Sequence, residues 1–182
     1  MNKTFLSLLF LCLLYSPMLE AKKIKKLQIG DRFPKMEGEL LSSKKITLPN
    51  HCEGKVTLLI AAFKRGTQDQ IDSWTRPILF EFSQEEEFRF IEIPMISNFY
   101  SWISNYINNG MRNGIISSMH KNVMTYYGSL DEYFNYFGVE DRKLCYLFLL
   151  NKKGEICYMN KGESSSNEIK TLIHDIRILL EE

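Results

Sequence analysis

Residues 56–70, VTLLIAAFKRGTQDQ, join a continuous apolar run to a polar turn and to the start of a helix. The first eight of these residues are almost all apolar, which indicates a strand that is buried on both faces of a sheet. Residues 64–66 then supply a basic turn. Because Thr67 and Gln70 have the spacing of a capping box, we predict that a helix begins there. A buried strand that leads directly into a helix is typical of α/β domains.

The predicted helix is amphipathic, and a second strand follows it. Ile71, Trp74 and Ile78 share one helical face, which we expect to pack on the sheet. Pro77 is expected to kink or end the helix, because proline lacks the amide N–H that a continuing helix uses. Residues 88–95, FRFIEIPM, alternate between apolar and polar side chains and therefore predict the second strand.

The other predicted elements complete the order of a thioredoxin fold. They are a short strand near 46–48, a long and mainly helical stretch over 99–127, a short helix over 133–137 with Gly138 as its C-cap, a hairpin of strands 145–150 and 156–159, and a final helix that begins at a capping box over 165–168. The predicted fold is α/β and thioredoxin-like, with a central mixed sheet, helices on both faces and a helical insertion before the terminal hairpin. We assign this domain to residues 30–182.

Length and composition limit the class of protein. The chain has 182 residues, the size of one domain. Its hydrophobic content of 45% excludes a disordered chain, and its 5 Pro and 10 Gly exclude a collagenous one. It has 23 Lys and Arg against 22 Asp and Glu, and this net charge of +1 is not that of a nucleic-acid-binding protein.

Residues 1–21 have the pattern of a secretory signal peptide. Lys3 precedes an apolar run over 5–15 that is too short to span a membrane, for which about 20 residues are needed. An uncleaved anchor is the alternative. The segment has no Arg, which disfavours a mitochondrial presequence. We therefore predict an exported protein, periplasmic or otherwise extracytoplasmic. Its basic residues 22–29 form either a solvated leader or a contact with a membrane surface.

Cysteine is missing from the place where a thioredoxin fold uses it. In that fold the reactive thiol lies at the N-terminus of the first helix, where the helix dipole lowers its pKa. Here that place is 64–68, and no cysteine lies between Cys52 and Cys145. The chain therefore lacks both a CxxC pair and a peroxidatic cysteine, and a thiol enzyme is not favoured. Its Cys and His residues also lack metal-ligand spacing, so we predict no metal and no cofactor.

Cys145 leaves one enzymatic alternative open. It stands near the position where thioredoxin-like proteins usually carry a cis-proline. If its thiol faces Lys64 and Arg65, its pKa is lowered and the chain is an atypical thiol oxidoreductase. Otherwise it is a small buried side chain in an apolar strand. We predict no disulfide between Cys145 and Cys157, because a tight turn at 152–153 places the two sulfurs about 10 Å apart.

Two groups of side chains are candidates for binding. Lys64 and Arg65 lie beside a predicted helix N-terminus, and they form either an anion site or two solvated charges. Phe99, Trp102 and Tyr106 share one helical face. That face either packs in the core, which is the default expectation, or forms an exposed aromatic surface for a partner or a membrane.

Several diffuse motifs follow one another over residues 31–180. They are the basic pair 64–65 after an apolar strand, Ser73-Trp74, FIEI at 90–93, Met111-Arg112, His120, YYG at 126–128, FGV at 137–139 and YLFLL at 146–150. In order and spacing they resemble the thioredoxin-fold assembly factors of mitochondrial ATP synthase. The resemblance implies a non-catalytic, chaperone-like fold that binds a protein partner, a membrane-embedded subunit, and no nucleic acid.

The residues that we expect to contribute to binding come from the candidate groups and from this resemblance. They are Lys64, Arg65, Trp74, Trp102 and Arg112. The first 21 residues depart from the family, because they have a secretory rather than a mitochondrial pattern. On that ground an exported relative would assist a different envelope complex.

Overall fold

The computed structural model describes residues 25–182. The predicted signal peptide and the first residues of the basic leader lie outside this range. In the described part of the leader, Leu27 is buried and its amide donates to the carbonyl of Tyr136. Lys25 and Lys26 beside it are exposed. This part of the leader is therefore held against the domain at Leu27 and solvated at Lys25 and Lys26.

The described chain forms seven strands and four α-helices. In chain order they are β1 (Met36–Leu40), β2 (Lys45–Leu48), β3 (Val56–Ala62), α1 (Gln68–Phe82), β4 (Phe88–Ser97), α2 (Ser104–Gly114), β5 (Met124–Gly128), α3 (Asp131–Phe137), β6 (Cys145–Leu150), β7 (Ile156–Lys161) and α4 (Ser166–Glu181). Short 3-10 helices precede and follow α2, at Asn98–Ile103 and Ser117–Asn122.

The strands form one mixed sheet in the order β2-β1-β5-β4-β3-β6-β7. The apolar run of the sequence is β3, which lies parallel to β4 and antiparallel to β6. Its Leu59 lies opposite Ile91 of β4 and Phe148 of β6. All of its residues are buried, as expected for a strand that is covered on both faces.

Helices cover both faces of this sheet, so the predicted fold is confirmed. On one face, α1 and α4 pack their apolar sides on the central strands through Ile71, Trp74, Ile78, Leu172 and Ile176. On the other face, α3 places Phe137 against Phe148 of β6, with the two ring centroids 4.6 Å apart. The carboxyl ends of β3, β4 and β5 all lie at one edge, because these three strands are parallel.

Helix α1 continues through Pro77 to Phe82, so the alternative that the proline ends the helix is corrected. Proline has no N–H for the carbonyl of Ser73, its usual partner in a helix. The hydroxyl of Ser164 donates to that carbonyl instead, at 2.8 Å, and its amide donates to the Ser73 hydroxyl at 2.9 Å. A neighbouring loop thus satisfies the group that the proline leaves unpaired.

Of the two predicted capping boxes, only the second is present. The hydroxyl of Thr67 donates to the carbonyl of Lys64 at 3.1 Å and accepts no hydrogen bond from α1. At α4, Ser165 and Glu168 form the reciprocal pair. Gly138 ends α3 with a φ of +60°, as its predicted role as C-cap requires.

Strands β1 and β5 were not among the predicted elements. The stretch 99–127, expected to be mainly helical, ends in β5, where Thr125 lies opposite Glu39 of β1 and Tyr126 lies opposite Met95 of β4. Gly38 of β1 allows this pairing, because a Cβ atom at that position would lie 2.7 Å from the carbonyl oxygen of Thr125. A short strand with a central glycine gives only a weak pattern.

The terminal hairpin has a longer turn than the two-residue turn expected at 152–153. Phe148 lies opposite Met159, and the register shifts near Leu150, which lies opposite Ile156. A two-residue turn at 152–153 would place Cys157 opposite Phe148, so that predicted register is wrong. The register differs because the turn is wider, with the backbone amide of Asn151 donating to the carbonyl of Glu155. A bulge at Cys157 then shifts the pairing by a further residue.

Candidate functional site

The turn that joins β3 to α1, residues 64–67, lies where thioredoxin-like folds carry their chemistry. Lys64, Arg65 and Gly66 are exposed, and Gly66 has a φ of +88°, which glycine adopts without strain. The first turn of α1 contains Asp69. The structure thus places the basic pair beside a helix N-terminus, as predicted. Whether the pair binds an anion stays a prediction.

Gln70 ties the start of α1 to the start of β6. Its side-chain amide donates to the carbonyl of Lys143 at 3.1 Å, and its oxygen accepts from the amide of Cys145, also at 3.1 Å. The side chain of Gln70 therefore pairs with the carbonyl before Leu144 and with the amide after it. These groups are consequently not free to pair with a peptide.

Cys145 is sealed in the interior behind this contact. Its thiol is fully buried and donates to the carbonyl of Gly162 at 3.3 Å. Burial raises its pKa to about 11, and the negative charge of Glu92 adds to the rise. The alternative that Lys64 and Arg65 lower the pKa of this thiol is therefore corrected: desolvation dominates the shift, and neither basic side chain contributes to it.

The other thiols of residues 25–182 are not activated either. Cys52 is fully buried, and burial raises its pKa to about 11. Cys157 is partly buried, and burial also raises its pKa. All three cysteines in this range are free. A thiol with a raised pKa is a poor nucleophile at neutral pH, because little of it is thiolate.

Trp74 belongs to the core and not to a binding surface. Its side chain is fully buried, and its indole N–H donates to the carbonyl of Gly162 at 2.7 Å. Its ring also makes an edge contact with Tyr158, with centroids 6.4 Å apart. The expected role of Trp74 in binding is therefore corrected: it locks α1 to the loop that precedes α4.

Four aromatic side chains of the segment between β4 and β5 are exposed to solvent. The exposed fractions are 72% for Phe99, 46% for Tyr100, 80% for Trp102 and 81% for Tyr106. We call these four residues the aromatic surface. The default expectation, that Phe99, Trp102 and Tyr106 pack in the core, is wrong, because no element of the described chain covers this face of the segment. The structure has the exposed aromatic side chains of the alternative prediction.

The opposite side of the same segment is fastened to the sheet. Arg112 of α2 donates to the carbonyl of Leu41 at 2.7 Å and to the side chain of Asn109 at 2.9 Å. The hydroxyl of Tyr127 donates to the amide oxygen of Asn108 at 2.8 Å. The expected binding residue Arg112 is thus placed as an anchor. It holds α2, which carries Tyr106 and directly follows the 3-10 helix with the other three residues of the aromatic surface, on the sheet.

A polar groove lies between α2 and the uncovered side of strands β1, β2 and β5. It has a volume of about 500 Å³, and its lining includes Glu37, Glu39, Lys45, Thr47, Asn105 and Asn108. Two of its side chains are already paired: Glu37 with Lys35, at 2.7 Å, and Asn108 with Tyr127. It does not bring together a nucleophile and a base.

Sequence reasoning did not identify Gln70 or Glu92. Gln70 was interpreted as a capping residue, and its contacts run to residues more than 70 positions away. Glu92 is a partly buried carboxyl in β4 whose pKa burial raises to about 7, with a further rise from Asp72. The sequence marked it only as an acidic residue within the second predicted strand, here β4, which pairs with the central strand β3.

No helix within residues 25–182 is long and apolar enough to cross a membrane. Within the same residues, no group of three or more His, Cys, Asp or Glu side chains is placed to hold a metal ion.

Similarity to solved structures shows the fold. A putative thiol:disulfide interchange protein DsbE from Chlorobium tepidum has a TM-score of 0.60 at 13% identity, covering 85% of this chain and 99% of its own. BsSco, a member of the Sco family of cytochrome c oxidase assembly proteins, has a TM-score of 0.60 at 12% identity, covering 86% and 97%. A peroxiredoxin-like protein from Aquifex aeolicus has a TM-score of 0.53 at 14% identity, covering 85% and 88%.

Sequence comparison shows the family. No curated protein matches the chain in sequence. The family model described as ATP10 protein matches residues 21–179, which is most of the chain. This agrees with the resemblance that the motifs over 31–180 indicate, and the thioredoxin-like architecture is that of the structural neighbours. The chain therefore belongs to the ATP10 protein family.

Proposed function

We propose that this protein is a redox-inactive assembly factor that binds a protein client. The family assignment supports the assembly role. For the client, the resemblance favours a membrane-embedded subunit of an ATP synthase or of a related envelope complex. The BsSco structure belongs to a family of cytochrome c oxidase assembly proteins, so the same fold is used for assembly elsewhere.

The observation that carries this proposal is the sealed Cys145. A thioredoxin fold that does thiol chemistry needs an accessible thiolate at the start of its first helix. Here that turn contains Lys64 and Arg65 in place of cysteine, and Cys145 is fully buried with a pKa of about 11. What remains at this edge is a surface, and binding is the function that a surface supports.

The proposed binding region is the edge of the sheet where β3 and β4 end. Lys64 and Arg65 follow β3, and the segment with Trp102 follows β4, so both leave the sheet at the same edge. In this proposal Lys64, Arg65 and Trp102 contact the client, while Arg112 positions the segment.

The compartment is part of the proposal. The pattern of residues 1–21 favours export, whereas the resemblance to mitochondrial factors favours the mitochondrion. We propose the extracytoplasmic location. Fusion of residues 1–29 to a reporter enzyme that is active only after export would test it. Activity of the fusion is expected, and its retention in the cytoplasm would contradict the proposal.

The test of the assembly function uses a chain without thiols in its mature part. Cys52, Cys145 and Cys157 are changed together to Ala in cells that lack the native gene. The amount of assembled ATP synthase is measured on native gels. We expect the variant to restore assembly to the wild-type level when the two proteins are equally abundant. Failure of an equally abundant variant would overturn the proposal.

A further inference from the structure

We propose that the aromatic surface docks an uncharged segment of the client protein. The inference rests on the proposed function and specifies the chemistry of its partner. It assigns the contact to Phe99, Tyr100, Trp102 and Tyr106, and it names a protein segment, not a lipid surface, as the occupant.

Exposure is the first argument. Trp102 and Tyr106 are 80% and 81% exposed, and Phe99 and Tyr100 form an edge contact with ring centroids 5.2 Å apart. Single exposed apolar side chains are common, but adjacent large aromatic ones mark interaction sites. Aromatic side chains also contribute more than most others to interface energy.

The absence of charge is the second argument. Residues 93–111 contain no Asp, Glu, Lys or Arg, although 25% of the whole chain is charged. A charged partner placed on such a surface would lose its hydration without gaining a counter-charge, which is costly. An uncharged partner loses little hydration free energy when it binds there. Charge matching therefore favours an occupant whose contacting side chains are apolar or neutral.

The composition of the segment is the third argument. Residues 98–114 contain five Asn, two Ser, two Gly, two Tyr and one Trp among 17 residues. Antibody paratopes use the same set, because Tyr and Trp supply rigid contact area while Asn and Ser supply adaptable hydrogen bonds. Such a surface is suited to a protein partner that has unpaired polar groups as well as apolar side chains.

A lipid surface fits less well. Helices that lie on membranes usually combine their aromatic side chains with Lys and Arg that bind anionic headgroups. The one basic residue of α2 is Arg112, and its guanidinium is engaged by Leu41, Asn109 and Ser43. It is therefore not available to a headgroup.

The firm attachment of the segment favours tight docking. Because Arg112 and the Asn108–Tyr127 hydrogen bond hold α2 on the sheet, little backbone order has to be gained on binding. The backbone of the segment is then already in place, and the cost of docking is mainly that of ordering the four aromatic side chains.

The experiment uses two synthetic helical peptides with the same stripe of Leu and Ile. One has only Ser, Gln and Asn on its other faces, and the other has Glu and Lys there. Affinity is measured by anisotropy of labelled peptide with the wild-type domain and with the double variant Trp102→Ala/Tyr106→Ala. The matched control is Phe80→Ala, since Phe80 of α1 is 89% exposed but lies outside the aromatic surface.

We expect the uncharged peptide to bind and to shift the emission of Trp102 to shorter wavelengths. The double variant should lose at least about tenfold in affinity, as loss of two interface anchors predicts, and Phe80→Ala should not change it. Both substituted side chains are exposed, so the variants should unfold at the wild-type temperature.

Four results would overturn the inference. The first is that neither peptide binds, and the second is that the charged peptide binds as tightly as the uncharged one. The third is that the double variant binds the uncharged peptide with wild-type affinity. The fourth is that vesicles of phosphatidylcholine, with or without phosphatidylserine, shift Trp102 emission while the peptides do not. The assembly function is judged separately by the cysteine-free variant, which retains the aromatic surface.

Discussion

Chemical modification of Cys145 should be very slow in the native protein. At pH 7, a thiol with a pKa of about 11 has about one thiolate in 10⁴ molecules, against about one in 100 for the ordinary value of 9.0. Ionisation alone therefore slows alkylation about 100-fold. Because the side chain is fully buried, reaction through local opening is the other route. The opened thiol regains its ordinary pKa, and an opening free energy of about 4 kcal/mol slows its alkylation about 10³-fold.

The assay is alkylation with iodoacetamide at pH 7, in which each cysteine peptide is quantified by mass spectrometry over time. Cys157, which is only partly buried, serves as the internal reference and should be modified first. Cys52 is as buried as Cys145 and should be equally slow. The reasoning is refuted if Cys145 reacts faster than Cys157, or if its rate reaches half-maximum below pH 8.

Three further predictions concern the architecture around the site. Ser164→Ala should lower the free energy of unfolding by about 1–2 kcal/mol. In a Pro77→Ala background the same substitution should cost much less, because the N–H of residue 77 then pairs with the Ser73 carbonyl. Urea unfolding of the wild type, both single variants and the double variant measures this, and an equal cost of Ser164→Ala in the two backgrounds would contradict it. Burial raises the pKa of Glu92 to about 7 in the folded state, against an ordinary value of 4.5, so the wild type loses stability as pH rises from about 4.5 to 7. The free energy of unfolding of Glu92→Gln, relative to that of wild type, should therefore increase by about 3 kcal/mol between pH 4 and pH 8. The same difference between the two proteins at both pH values would rule this out. Arg112→Ala should speed amide hydrogen exchange in α2 at least about tenfold, since the anchor at Leu41 is lost; unchanged exchange would show that the anchor is not needed.

The elements with continuous or strongly periodic patterns could be predicted from the sequence. The apolar run 56–63 gave the central strand, and the helix that follows it buries Ile71 and Ile78 as its periodicity indicates. A continuous apolar run indicates a strand buried on both faces, and apolar residues at helical spacing indicate a helix buried on one face, so both can be predicted from neighbouring residues alone. Local sequence likewise placed the turn with Lys64 and Arg65.

The elements that depend on distant partners could not be predicted. Whether Phe99, Trp102 and Tyr106 face the core depends on which side of the segment 98–114 meets the sheet. Arg112 and Asn108 decide that through contacts with Leu41 and Tyr127, which are distant in sequence. The same holds for Gln70, whose partners lie on β6 and the loop before it, and for the continuation of α1 through Pro77.

We propose that this member of the ATP10 family works by binding a client and not by thiol exchange. In-cell crosslinking and affinity purification of the wild-type protein and of Cys145→Ala, each eluted with and without reductant, tests this most directly. We expect both proteins to recover the same membrane-complex subunit, with no effect of reductant. A partner that is released only by reductant and is lost in Cys145→Ala would contradict it.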